Sequence, residues 1–173
     1  MRVISWVVLL ALTFSVWAIS AQQAPHSRSI TNARLGELLQ RIDPDVKGSP
    51  GGWTISFQGR SAQIVTDPNA DRMRIMIPLV EADKLTQDQL YRLLQANFES
   101  ALDARYAVAQ GVVWSVFIHP LSALDDAEFV AGVAQTFNAA VTYGTTFSSG
   151  LFNFGGGDNG ELFDAIKEKG TRS

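Results

Sequence analysis

No cysteine occurs among the 173 residues. Its absence excludes thiol nucleophiles, thiolate metal sites, disulfide staples and thiol redox switching. Histidine is almost as scarce. His26 and His119 are the only two, and neither carries the H-x-x-x-H or carboxylate spacing of a metal site. Lys and Arg number 14 against 17 Asp and Glu, and the basic residues are scattered. A nucleic-acid binder needs them clustered to neutralise phosphates, so that class is set aside. Beyond the first twenty or so residues there is no long apolar run, and no internal repeat is evident.

Reaction motifs are missing too. Asp67-Pro68-Asn69-Ala70-Asp71 opens like a calcium loop, but the sixth position is Arg72 instead of glycine and the twelfth is Pro78 instead of glutamate. It reads as a turn. Gly155-Gly156-Gly157 lacks the following G-K-[S/T] of a phosphate cradle, and Ser148-Ser149-Gly150 has neither a nucleophile-elbow pattern nor a recognisable base. Asp125-Asp126 fits the first turn of a helix, where negative charge complements the dipole. His119, just before Pro120, reads as a strand-end residue. The expectation is a protein with no catalytic residues, no cofactor and no metal.

What the chain does have begins at its start. Arg2 precedes an apolar stretch, Val3 to Trp17, broken only by Ser5, Thr13 and Ser15. Ala18-Ile19-Ser20-Ala21 then supplies the small residues a signal peptidase cuts, after Ser20 or Ala21. Residues 1–21 are read as a secretory signal peptide, implying a periplasmic or secreted protein. An uncleaved membrane anchor is the alternative, because the stretch nears the length that spans a bilayer. Cleavage would remove Arg2 and leave every acidic residue, making the exported form more acidic than the full chain's net charge of −3. About 150 residues then remain, enough for one domain to bury a core without disulfides.

Residues 22–31 form a polar leader containing Pro25. From Asn32 to Ile42, Leu35, Leu38, Leu39 and Ile42 share one helical face, with Thr31 or Asn32 as the cap. Pro44 and the run Gly48-Ser49-Pro50-Gly51-Gly52 end this helix in a turn. Three alternating segments follow, Trp53–Gln58, Ser61–Thr66 and Arg72–Leu79, joined by short turns into an antiparallel meander. Thr86 and Gln89 have capping-box spacing, and Leu90, Leu93, Leu94, Phe98, Ala101 and Leu102 continue as a helical stripe. Two strands, Arg105–Ala109 and Val112–His119, flank Gln110-Gly111. A last long helix is expected from Ser122, with Asp125 completing the box, and an apolar stripe through Phe129, Val130, Val133, Phe137, Ala140 and Val141 up to Gly144. Residues 145–173 read as a Gly- and aromatic-rich tail, with the pattern of one short amphipathic helix over Glu161–Lys169.

The strand Val112–His119 is apolar on both faces. Val113 and Phe117 point one way. Val112, Trp114, Val116 and Ile118 fall on the other, and if helices cover only one sheet face that surface needs a partner. Trp53, Phe57, Phe117, Phe129 and Phe137 are expected in the core.

The order α-βββ-α-ββ-α implies an α+β fold, a twisted antiparallel sheet with helices mainly on one face, in a domain spanning residues 32–144. With Ala104-Arg105-Tyr106-Ala107-Val108 entering the hairpin and Val113-Trp114-Ser115-Val116-Phe117 leaving it, the pattern resembles the type III secretion chaperones, both CesT-like and the related YbjN-type domains. That resemblance implies a small acidic homodimer that binds a protein or peptide client without catalysis. Such chaperones act in the cytoplasm, whereas residues 1–21 direct this chain outward. An envelope-assembly component using its tail and a carboxylate-dependent hydrolase are the rival readings. Val112, Trp114, Val116 and Ile118 are the candidate partner-binding or dimer surface.

Overall fold

The computed structural model describes residues 30–99, 101–144 and 160–171, with side chains in the last stretch from Asp164 onward. Residues 1–21, expected as a signal segment, residues 22–29 of the expected leader and residues 145–159 lie outside the described residues, whereas the last two leader residues belong to the domain: Ile30 is buried in the core and Thr31 caps the first helix.

Helix α1 (Asn32–Ile42) starts where Thr31 accepts a hydrogen bond from the Arg34 amide, 3.2 Å. Its four expected apolar residues are all buried. The chain leaves the helix at Asp43, whose carboxylate accepts from the Ser56 and Asp45 amides at 2.7 and 3.0 Å. That clamps the end of α1 to the sheet.

Six antiparallel strands follow: β1 (Lys47–Ser49), β2 (Gly52–Phe57), β3 (Arg60–Asp67), β4 (Arg72–Glu81), β5 (Arg105–Ala109) and β6 (Val112–His119). Their spatial order is β1-β2-β3-β4-β6-β5. Tight turns set the register. Gln58-Gly59 and Gln110-Gly111 both have φ above zero at each position, the backbone twist that matches flanking strands. In the β3–β4 turn, Asp67 accepts from the Asn69 and Ala70 amides. The alternation then places Trp53, Ile55, Ala62, Ile64, Met73, Ile75, Ile77, Val113 and Phe117 on one buried face.

Helix α2 (Gln87–Glu99) opens with the expected reciprocal cap: the Thr86 amide donates to Gln89 Oε1 and the Gln89 amide to Thr86 Oγ1. Helix α3 (Asp126–Val141) lies on the buried sheet face. Phe117 packs against its Gly132, where a Cβ would stand 2.7 Å from the ring. Helix α4 (Gly160–Thr171) packs on α1 and α3 and adds Ile166 to the core. The architecture is α+β, as expected.

Four expectations need correction. The turn expected at Gly48-Ser49 contains β1, which pairs with β2 through Gly48↔Trp53, so the sheet gains a short edge strand. Helix α3 begins at Asp126 instead of Ser122. Ser122 directs both its amide and its hydroxyl to the Asp71 carboxylate (2.7 and 2.6 Å), and Asp125 caps the helix by accepting from the Glu128 amide. Leu79 is only half-buried, because the β4–β6 register shifts between Pro78 and Val80. Proline cannot donate to the ladder, so the shift falls where the hydrogen bonding is already broken. The fourth concerns α2, which ends at Glu99, so Ala101 and Leu102 of the expected helical stripe lie beyond the helix.

Candidate partner-binding surface

Strand β6 lies between β4 and β5, so its backbone is paired on both sides. Val113, Ser115 and Phe117 are buried, Phe117 against Gly132 of α3 and the Ser115 hydroxyl donating to the Thr136 carbonyl of that helix at 2.9 Å. The opposite face carries the four sequence candidates. Val112, Trp114 and Val116 are half-buried, and Ile118 is 52% exposed.

Cross-strand register joins these residues into rows. Val65, Arg74 and Ile118 form one; Gln63, Met76, Val116 and Arg105 the next; Pro78, Trp114 and Ala107 a third. The Trp114 indole is held down, its Nε1 donating 3.0 Å to the Ala109 carbonyl across the hairpin. Small side chains at Ala107 and Ala109 leave room for the ring. The result is a fixed apolar strip along the outer face, with Val65 also 43% exposed. Within a strand the two faces alternate strictly, so this strip is the direct product of a strand that is apolar at every position but Ser115 and His119.

A second apolar surface lies on α2. The helix divides its apolar residues between two sides: Leu93 and Ala96 turn inward, while Tyr91, Leu94 and Phe98 are exposed, Phe98 by 75%, as is Leu102 just beyond the helix end. The helix is rotated by its role at the sheet edge. Asn97 accepts from the Tyr106 amide at 2.7 Å and donates to the Tyr106 carbonyl at 3.0 Å, closing the outer edge of β5 at that residue. Apolar spacing alone could have located this stripe but could not say which part faced inward.

Titratable groups are tied into structure. Arg34 bridges Glu37 and Asp126, and its hydrogen bonds to Asp126 and then Glu37 hold its guanidinium above the ordinary arginine value. Asp71 is held below the usual carboxylate range by the Ser122 hydroxyl and amide. Burial pushes the Tyr106 phenol up while its hydroxyl donates to the Ala139 carbonyl at 2.7 Å. His119 occupies its strand end, stacked on Phe117, with Nδ1 2.8 Å from the Pro120 carbonyl and Nε2 3.0 Å from Glu128.

Two clefts, of about 270 and 390 Å³, lie beside Asp71 and beside the start of α2. Each is lined by a single carboxylate, Asp71 in one and Asp88 in the other. Among the described residues no three His, Asp or Glu side chains group to hold a metal ion. No described helix is long and apolar enough to cross a membrane.

No family model matches the chain, and no curated protein does. Solved structures do. The crystal structure of the ExsC–ExsE complex aligns at 15% identity with a TM-score of 0.51, covering 69% of this chain and 98% of that one. The HopA1–SchA chaperone–effector complex aligns at 12% identity and TM-score 0.48, covering 65% and 94%. The Yersinia pestis type III secretion chaperone SycH, in complex with a fragment of YscM2, aligns at 14% and 0.46, covering 62% and 97%. The likeness to the ExsC–ExsE structure is one of fold. It agrees with the α+β architecture expected from the sequence, an antiparallel sheet with helices packed on it.

Proposed function

We propose that this chain is an exported, non-enzymatic protein-binding domain that uses a secretion-chaperone-like fold, as a homodimer, outside the cytoplasm. One observation carries the reading: β6 lies inside the sheet and is apolar on both faces, and among the described residues its outer row from Trp114 to Ile118 is only partly covered, with Ile118 52% exposed. An apolar strip fixed on a rigid sheet suits an apolar segment of a client protein. The fold shared with a structure of a protein–protein complex supports that use. Export rests on the pattern of residues 1–21.

The second copy belongs on α2. Tyr91, Leu94, Phe98 and Leu102 together expose on the order of 500 Å² per copy. A standard interface needs about 800 Å² per partner, so neighbouring polar residues would form its rim. A helix stripe meeting its own copy across a two-fold axis is self-complementary, which a sheet face engaged by a client need not be.

The test is a photo-crosslinking residue at position 118, with a control at exposed Glu37, in the mature domain incubated with envelope extract. A defined protein should crosslink from position 118 and not from 37, and should be lost on Trp114→Ala. Equal labelling from both positions, or capture indifferent to Trp114→Ala, would overturn the reading.

A further inference from the structure

The outer sheet face has a charge pattern that the chain as a whole does not. Acidic residues outnumber basic ones, 17 to 14. Yet the three rows that hold Val65, Val116 and Trp114 contain two arginines, Arg74 and Arg105, and no carboxylate. Acids on this face stand at its ends and are engaged there. Asp67 accepts from the Asn69 and Ala70 amides in the β3–β4 turn, and Glu81 lies 3.6 Å from Lys84.

Arg74 differs from its neighbouring arginines. Arg72 Nη1 donates to the Asp71 carbonyl at 3.1 Å, and Arg105 Nη1 donates to the Leu102 and Ala104 carbonyls. The Arg74 guanidinium has no hydrogen bond or ion pair to any other described residue. It is exposed, and the register sets it between Val65 on β3 and Ile118 on β6. Cross-strand neighbours stand about 5 Å apart at Cβ, so this cation lies beside two exposed apolar side chains. An apolar segment laid over the strip takes water from the Arg74 head group. Losing water without gaining a counter-charge is destabilising, so Arg74 discriminates against a wholly apolar occupant.

From this arrangement we infer that the outer face selects an extended client segment that is apolar at alternate positions and carries an Asp or Glu where it passes Ile118, with Arg74 specifying the acid. The inference rests on the protein-binding reading and names the chemistry of what binds. Along β6, Trp114, Val116 and Ile118 repeat about every 6.7 Å, the period at which an extended segment presents side chains to one face. Two apolar residues over Trp114 and Val116 bring the third inward-facing side chain to Arg74. An anionic membrane is the poorer fit, because the chain's net charge of −3 opposes it.

Short fluorescent peptides alternating Thr with Val test this on the full chain. They differ only in the inward-facing residue at one end, Asp or Asn, and each is made in both chain directions. Wild type should bind the Asp peptide about threefold to fivefold more tightly than the Asn peptide, a preference that falls with added salt. Arg74 is exposed, so replacing it leaves the core intact. Arg74→Gln should abolish the preference, and Arg74→Asp should transfer it to a peptide with Lys at that position. Equal binding of the Asp and Asn peptides that is still lost on Trp114→Ala would overturn the acid requirement and leave the client surface standing. A preference kept by Arg74→Gln, or no binding of either peptide to wild type, would overturn it too; crosslinking from position 118 then judges the client surface by itself. Arg74-dependent binding to phosphatidylglycerol vesicles instead of peptides would assign the strip to lipid. A dimer split by Arg74→Asp would assign it to a second copy. Either result overturns the proposal.

Discussion

Gly132 shows how one missing Cβ sets the distance between a helix and a sheet. Replacing glycine by alanine within a helix ordinarily gains about 0.5–1 kcal/mol. Here the new Cβ would meet three Phe117 ring atoms inside 3.0 Å, and that ring is buried with nowhere to move. Overpacking costs typically 1–3 kcal/mol, so the clash wins. Gly132→Ala should lower stability by about 1–2 kcal/mol, read as a fall in the urea midpoint. Tyr106 makes a second case. Its phenol is pushed above the ordinary 10.0, chiefly by burial, so between the unfolded and folded values the native state holds the extra proton. The stabilisation is complete below pH 10 and is lost as pH rises through the folded value. Urea midpoints across the alkaline range should fall more steeply for wild type than for Tyr106→Phe; parallel curves would contradict this. Both residues look ordinary in the sequence, since neither the ring over Gly132 nor the cover over Tyr106 is local to them.

Helix α2 separates the information in a pattern from its consequence. Leu90, Leu93, Leu94 and Phe98 have the spacing of a core stripe, and a helix does form there. Periodicity says that a face will seek cover; it does not say whether the same chain supplies it. Asn97 settles the matter by binding both backbone groups of Tyr106, which aims Leu93 and Ala96 inward and leaves Leu94 and Phe98 outside. A charge at Phe98 therefore meets water in the monomer and apolar surface in a dimer. Phe98→Glu should leave the monomer's stability within about 0.5 kcal/mol of wild type. It should also convert the dimer to monomer by light scattering; a monomeric wild type, or a dimer that survives the change, would remove α2 as the dimer face. The β6 strand was easier to read, because period-two alternation assigns each residue to a face without knowledge of the neighbours. Its four outer residues lie together where the alternation put them.

Taken as one chain, the protein combines a six-stranded α+β fold with an N-terminal segment, residues 1–21, that reads in the sequence as an export signal. These make separate demands. Without cysteine the domain has no disulfide to staple it, and the core running from Ile30 through Ile166 draws residues from α1, the sheet, α3 and α4. Export is checked by intact mass of the protein isolated from its native cells. The mature N-terminus should be Ala21 or Gln22, and a retained residue 2 would instead indicate an anchor.

Local chemistry determined most of the architecture: the caps at Thr31 and Thr86, the turns at Gln58-Gly59 and Gln110-Gly111, and the alternation of five strands all depend on residues close in sequence. Three features depended on distant partners and came only with the tertiary structure. Strand β1 exists because Trp53 and its neighbours offer an edge, not because Lys47-Gly48-Ser49 favours extension. The start of α3 was moved by Asp71, 51 residues away from Ser122. The rotation of α2 was set by a sheet edge that forms only after the helix has ended. Sequence patterns identify which surfaces are apolar; three-dimensional packing decides which of them the chain covers itself and which it leaves for another molecule.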